Sequence, residues 1–167
     1  MSAASSDRGK KLWTAAGRGA LAGVVGVAAM TLAEKFEQSV THRPNSYTPA
    51  RTLLTILGRR PPNDAKPTVW NHAMHWSTGV TLGALRGVWA AVGLRGPQAS
   101  VAHTVVRLAT DQTLENTTGA GAPPATWPAT ERLIDAIHKS VYSMTTGAIA
   151  DRLIRPELES RAGARSH

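Results

Sequence analysis

Four ionisable side chains stand among apolar neighbours in stretches with helical periodicity, and they are the residues best suited to chemistry. They are Glu34, His75, His103 and His138. Imidazole and carboxylate groups bind zinc and iron, and helical bundles hold such ligands in their cores. Imidazole also titrates near neutral pH, so it can pass protons. The four side chains therefore form a candidate site for a divalent metal or for protons.

The spacing of these residues adds little to the metal hypothesis. Carboxylate-type metal bundles carry Glu-x-x-His on paired helices, but this sequence has no such pair, and His72-x-x-His75 is its one comparable motif. A lone histidine on an apolar helix face more often hydrogen-bonds to a neighbouring helix. A structural role is therefore the alternative for each of these histidines.

Signatures of known enzyme classes do not occur in the sequence. It contains no Walker loop, no G-x-S-x-G and no H-E-x-x-H. Arg107 and Asp111 are four residues apart, a spacing that indicates an ion pair within one helix. We predict no catalytic residue and no cofactor beyond a divalent metal. An enzyme acting on a lipid or another apolar substrate is the alternative, because polar groups would face a helical core.

Glycines recur every four residues in two segments. These glycines are Gly19, Gly23, Gly79, Gly83 and Gly87. In water, each glycine inside a helix costs about 1 kcal/mol relative to alanine. In lipid, small residues instead allow two helices to approach closely. We therefore predict that the five glycines form helix-packing faces, against the alternative that a glycine-rich composition produces this spacing by chance.

The elements that position these residues are predicted to be helices, since no useful run alternates with the period of a strand. The predicted long helices cover 19–33, 69–94, 98–114 and 129–154, and a short interfacial or connecting helix covers 49–57. The fold class is thus all-α, with about four long helices in a membrane-type bundle. The bundle domain spans 19–154, between a basic polar segment, 1–18, and a basic tail, 155–167.

Charge and composition narrow the choice of partner. The chain has 167 residues, a net charge of +8 and no cysteine, which excludes disulfides and thiolate metal sites. A basic protein is attracted to nucleic acid or to anionic lipid. The positive charges lie at the ends and in one loop, beside apolar segments, so we predict membrane lipid as the partner and expect no nucleic acid.

The first predicted helix has the features of a membrane span. Residues 19–33 carry no charge, and the flanking Arg18 and Lys35 could extend to the interface. A cleavable signal peptide and the core helix of a soluble protein are the alternatives. The mean hydropathy of −0.18 is low for a chain with several spans. Most of the five tryptophans fall near predicted helix ends, as in an aromatic belt.

The distribution of lysine and arginine predicts the orientation. Both termini are basic and loop 115–128 has no Lys or Arg, which indicates cytoplasmic termini and an even number of spans. The loop at 34–68 conflicts with this layout, because it carries six basic residues. We predict a multi-pass protein of the inner membrane, whose further partner is a second copy or another membrane protein.

Several short motifs resemble those of the YagU-like family of small bacterial inner-membrane proteins. They are a glycine-rich first helix ending in Glu34, Arg43 and Pro49 in the next loop, His75-x-x-x-Gly79-x-x-x-Gly83, and His138-x-x-x-Tyr142. The likeness covers roughly residues 15–154. It implies a helical membrane protein with a structural, stress-related or accessory role and supplies no catalytic residues. A metal- or proton-binding membrane module is the alternative function.

Overall fold

The computed structural model describes residues 2–62 and 64–158, which form five α-helices and one 3-10 turn and no strand. The helices are α1 (Ser2–Thr41), α2 (Thr48–Ile56), α3 (Thr68–Ala91), α4 (Gly96–Thr117) and α5 (Ala129–Leu153), with the turn at Pro124–Thr126. The all-α prediction is confirmed. Helices α2, α3, α4 and α5 begin and end within about three residues of the predicted bounds.

Helix α1 is much longer than the predicted 19–33, because it begins at Ser2 and ends at Thr41. No proline interrupts this stretch, and its first turns are rich in alanine, lysine and serine. Lys11 and Asp7, four residues apart, form an ion pair of 2.9 Å that supports the first turns. Within the described part of the chain, α1 alone is long and apolar enough to cross a membrane, a property that some core helices and signal sequences share.

The five glycines predicted to mediate packing lie where α1 crosses α3. A Cβ atom built on Gly19 would lie 2.6 Å from the Cα of Gly87, and one on Gly23 would lie 2.9 Å from the Cα of Gly83. Backbone therefore packs directly on backbone along this contact, and any side chain would separate the two helices. The pairing of low with high residue numbers makes α1 and α3 antiparallel.

Helix α5 packs on both α1 and α4. A Cβ atom on Gly26 of α1 would lie 3.0 Å from the ring of Tyr142. At the far end of α5, Gly147 faces the Ser100 side chain of α4. The four long helices therefore alternate in direction, and both termini of the described chain lie at the same end of the protein.

A buried ion pair joins α3 to α5 at the end of the protein that carries the termini. Arg86 of α3 is completely buried, and its guanidinium contacts the carboxylate of Asp151 at 2.9 Å. The Asp151 carboxylate also accepts a 2.8 Å hydrogen bond from the Gly96 amide, and Arg95 donates to the carbonyl oxygens of Asp151 and Ile154. The end of α5 is thereby fixed to the connection between α3 and α4.

Candidate ligand cavity

A cavity of about 510 Å³ opens at the end of the protein opposite the termini. The C-terminal parts of α1 and α4, the N-terminal parts of α3 and α5, and helix α2 surround it. Asn71 of α3 positions α2 there: its side chain accepts a 3.1 Å hydrogen bond from the Ala50 amide and donates one to the Ser46 carbonyl. The short helix thus forms one wall of the cavity.

Three of the four predicted site residues line this cavity. They are Glu34, His75 and His138. Glu34 accepts a 3.2 Å hydrogen bond from Gln38, one turn later in α1. The helices thus bring together groups that are more than 100 residues apart in the sequence.

His103 does not belong to this group, because it lies in the core and not on the cavity wall. Its Nε2 atom is 3.0 Å from the carbonyl oxygen of Leu82 on α3, and the residue is fully buried. Its ring packs against Trp89 edge-on, with 5.8 Å between centroids, and against Tyr142 at 5.6 Å. The four residues therefore do not converge, and His103 connects α3, α4 and α5 by packing.

An ion network forms the inner wall of the cavity. Asp111 accepts from Arg107 at 2.9 Å, and the ammonium of Lys139 on α5 lies 3.3 Å from the same carboxylate. Lys139 also contacts Asp135 at 2.6 Å. The guanidinium carbon of Arg107 lies 5.0 Å from the centre of the Tyr142 ring, so a cation–π contact fixes its other side. The positive charges of two side chains and the negative charges of two others thus neutralise one another between α4 and α5.

Three buried polar atoms of residues that line the cavity have no hydrogen-bond partner among the described residues. They are Nη1 of Arg107, Nε2 of His75 and Oγ1 of Thr31. A buried polar group without a partner typically costs about 1–3 kcal/mol, so such groups usually mark a function or a ligand. Arg107 is only 3% exposed, which makes its free donor the most significant of the three.

Glu115 lines the cavity at the last turn of α4, and its carboxylate forms no hydrogen bond with the described residues. Burial raises its pKa to about 7, and the nearby Lys139 opposes this increase only in part. Gly121 leaves room for it, since a Cβ atom there would lie 2.9 Å from the Glu115 side chain. A half-buried carboxyl group with a raised pKa thus lines the cavity.

A second ion cluster borders the cavity. Arg43 contacts Glu37 at 2.9 Å and Glu131 of α5 at 3.7 Å. The hydrogen bond from Arg43 keeps the pKa of Glu37 below its ordinary value. This cluster connects the loop after α1 to the start of α5, so it holds the walls of the cavity together.

The ion pair of Arg107 with Asp111 is predicted from the sequence and confirmed, but its place in the inner wall, beside Asp135 and Lys139, is not. Arg107 and Asp111 are recognisable as an i, i+4 pair, and so are Asp135 and Lys139. Each pair alone is typical of a solvent-exposed helix face. What the spacing does not reveal is that α4 and α5 turn the two pairs towards each other, away from solvent.

No three His, Asp or Glu side chains converge as metal ligands would, within residues 2–62 and 64–158. The metal hypothesis therefore stays a prediction without geometric support from this part of the chain. Comparison with protein-family models, with curated proteins and with solved structures finds no match to this chain.

Proposed function

We propose that this protein is an integral membrane protein that presents a polar ligand- or proton-binding cavity to the extracytoplasmic side. The observation that carries the proposal is an inverted distribution of charge over one zone of the molecule. That zone, which we call the apolar band, comprises residues 19–33, 76–94, 96–110 and 140–150. In water, a large exposed apolar surface above buried charges is unusual for a protein.

Every exposed side chain in the apolar band is uncharged. Leu21 is 65% exposed and Val105 is 60% exposed. The basic side chains of the band are buried instead: Arg86 is 0% exposed and Arg107 is 3% exposed. Hydrocarbon around the helices explains this pattern, because charges inside a membrane face the protein interior and pair with one another.

Beyond the apolar band, the surface carries exposed charges. Lys10, Arg18, Arg152 and Arg155 are exposed at the end that carries the termini. Their positive charges favour a cytoplasmic location for that end. With alternating helix directions, the proposal has four crossings, although only α1 has the length and hydropathy of a membrane span within the described chain. In this proposal the cavity faces the opposite side, in contact with water. The resemblance of this chain's motifs to the YagU-like family implies a helical inner-membrane protein, which is the part of the proposal that it supports.

The low hydropathy of the chain is compatible with this proposal. Close packing through glycine removes the need for large apolar residues between α1 and α3, and only the outward faces need to match lipid. The uncharged part of α1, 19–33, is about 22 Å long at 1.5 Å per residue. Leu12 and Trp13 precede Arg18, and with that arginine extended to the interface they lengthen the apolar zone.

Single-cysteine labelling tests both membrane insertion and topology, because the chain has no cysteine of its own. Ala125→Cys lies in the exposed loop at the cavity end, Arg155→Cys beyond α5, and Val105→Cys in the apolar band. A membrane-impermeant maleimide should label Cys at 125 in intact cells and Cys at 155 only after permeabilisation. The band position should stay unlabelled in both cases. Recovery of the protein in the soluble fraction without detergent, or strong labelling at 105, would refute the proposal.

A divalent metal is the second candidate ligand, since Glu34, His75 and His138 line the same cavity. Zinc or iron would need these side chains to move until they share one centre, with bond lengths of about 2 Å. Metal analysis of the purified protein, with His75→Ala and His138→Ala for comparison, tests it. Stoichiometric metal that both variants lose would support this ligand, and a metal-free protein would remove it.

A further inference from the structure

We propose that the cavity binds a small zwitterion, whose carboxylate is recognised by Arg107 and whose ammonium group is recognised by Glu115. This inference rests on the proposed function, because the ligand reaches the cavity from the aqueous phase at the end opposite the termini. It goes beyond that function by naming the class of ligand and the residue that meets each of its charges.

The carboxylate of the ligand is placed at the inner wall, because hydrogen-bond donors there lack partners among the described residues. Arg107 uses its Nε atom on Asp111 and leaves Nη1 without a partner among the described residues. A guanidinium group matches the planar geometry of a carboxylate. Thr31 and His75 line the same cavity with buried polar atoms that are equally unsatisfied within the described chain. A ligand carboxylate at this wall would supply the acceptor that the Arg107 donor lacks.

The ammonium group of the ligand is placed at Glu115. Its carboxylate has no hydrogen bond within residues 2–62 and 64–158, and Lys139 is committed to Asp111 and Asp135. A second cation beside Glu115 would favour its ionised form and supply the missing partner. A primary ammonium group is compact and can donate up to three hydrogen bonds.

The charge balance of the cavity argues against an ion of a single sign. Arg107, Lys139, Asp111 and Asp135 neutralise one another. Of the other cations of the lining, Arg43 is paired with Glu37 and Glu131, and Lys35 donates to Gln38 and Asn45. A simple anion at Arg107 would also be repelled by Glu115, which is close enough to Arg107 to interact with its charge. A simple cation at Glu115 would leave the Arg107 donor unsatisfied. A molecule that carries both charges meets both requirements. The volume of 510 Å³ lies within the range of about 300–1,000 Å³ that is typical of small-ligand pockets.

Equilibrium binding of tritiated glycine to the full-length protein in detergent tests the inference. We expect saturable binding that excess unlabelled glycine or β-alanine displaces. Acetate and methylammonium each carry only one of the two charges, so at the same concentration they should displace little. Comparable displacement by acetate alone would identify an anion site, and by methylammonium alone a cation site; either result would overturn the proposal.

Three variants locate the site. Glu115→Gln breaks no hydrogen bond of the protein, so it should fold, and it should weaken glycine binding at least about tenfold. Thr31→Val removes only the hydroxyl and should weaken binding about fivefold. Arg107→Gln should abolish it. Size-exclusion chromatography and circular dichroism confirm the fold of each variant.

Ser143→Ala is the matched control. Ser143 is also fully buried, its hydroxyl also lacks a partner among the described residues, and it does not line the cavity. The Ser143→Ala protein should bind glycine with the affinity of the wild type. Absence of glycine binding to a correctly inserted, folded protein would overturn the zwitterion and leave the membrane topology intact. A failed labelling experiment would instead overturn the proposed function.

Discussion

The hydroxyl group of Tyr142 on α5 donates a 2.5 Å hydrogen bond to the backbone carbonyl of Gly79 on α3. The same carbonyl oxygen faces Gly23 of α1, where an added Cβ atom would approach it to 2.5 Å. One peptide group therefore lies at the meeting point of three helices. The absence of a side chain at Gly79 leaves room for Val27, and its absence at Gly23 leaves room for the Gly79 carbonyl.

Tyr142→Phe should lower stability, since it removes this hydrogen bond and leaves a buried carbonyl with one partner fewer. We expect a loss of about 1–3 kcal/mol, measured as a lower midpoint of thermal unfolding in detergent. Tyr47→Phe is the control, because the Tyr47 hydroxyl has no hydrogen bond in the described structure and its loss should change little. Equal midpoints for Tyr142→Phe and the wild type would show that the bond contributes nothing.

Gly83→Ala should disrupt the contact between α1 and α3. A Cβ atom at this position would lie 2.6 Å from the Cα of Gly23, and backbone cannot move aside as a side chain can. Gly17→Ala is the matched control, since it is the same substitution inside a helix but no other atom lies within 4 Å of a Cβ atom there. The control should be unchanged or stabilised by up to about 1 kcal/mol, whereas Gly83→Ala should unfold at a lower temperature. A Gly83→Ala protein as stable as the control would refute the close helix contact.

Glu115→Gln should stabilise the protein at high pH and have no effect at low pH. The pKa of Glu115 is raised to about 7 by burial, so folding favours its protonated form. The wild type therefore loses stability as the pH rises from the unfolded pKa near 4.5 to the folded pKa near 7, by at most about 1.4 kcal/mol per pH unit. Lys139, Asp111, Asp135 and Arg107 are the charged groups that act on it. Unfolding midpoints at about pH 4 and pH 8, on either side of that window, measure the difference, and parallel curves for the two proteins would contradict it.

Asp151→Ala should be among the most damaging single substitutions, because it leaves the charge of Arg86 buried without its ion-pair partner. Removal of one member of a buried pair costs about 3–5 kcal/mol. The double variant Arg86→Met/Asp151→Ala removes the charge as well and should recover part of that loss. The folded yield and the unfolding midpoint of the two variants test this. A double variant less stable than Asp151→Ala would argue against a pairing role.

The helices and the glycine contact follow from local patterns in the sequence. Pro49 and Pro97 mark helix starts, and the four-residue spacing of Gly79, Gly83 and Gly87 predicts a face that another helix can approach. The early start of α1 was missed because its first turns are polar. A polar composition at this position is typical of a tail, although alanine and lysine favour a helix.

The candidate site was predictable only in part, because its members come from different helices. Periodicity places Glu34, His75 and His138 on helix faces but does not fix how far one helix slides along another. That offset brings these three to the cavity, while His103 falls deeper in the core, between Trp89 and Tyr142. Glu115 carries no local signal at all, since its burial depends on how the chain folds back at Gly121.

The contact between Arg86 and Asp151 also sets an order for biogenesis. Sixty-five residues separate the two, so α3 leaves the ribosome well before the helix that neutralises it. Until α5 packs against α3, the guanidinium of Arg86 has no ion-pair partner. Helix α5 therefore completes this part of the core, and a chain truncated before 151 should fold poorly, because the Arg86 charge would stay buried without its ion-pair partner.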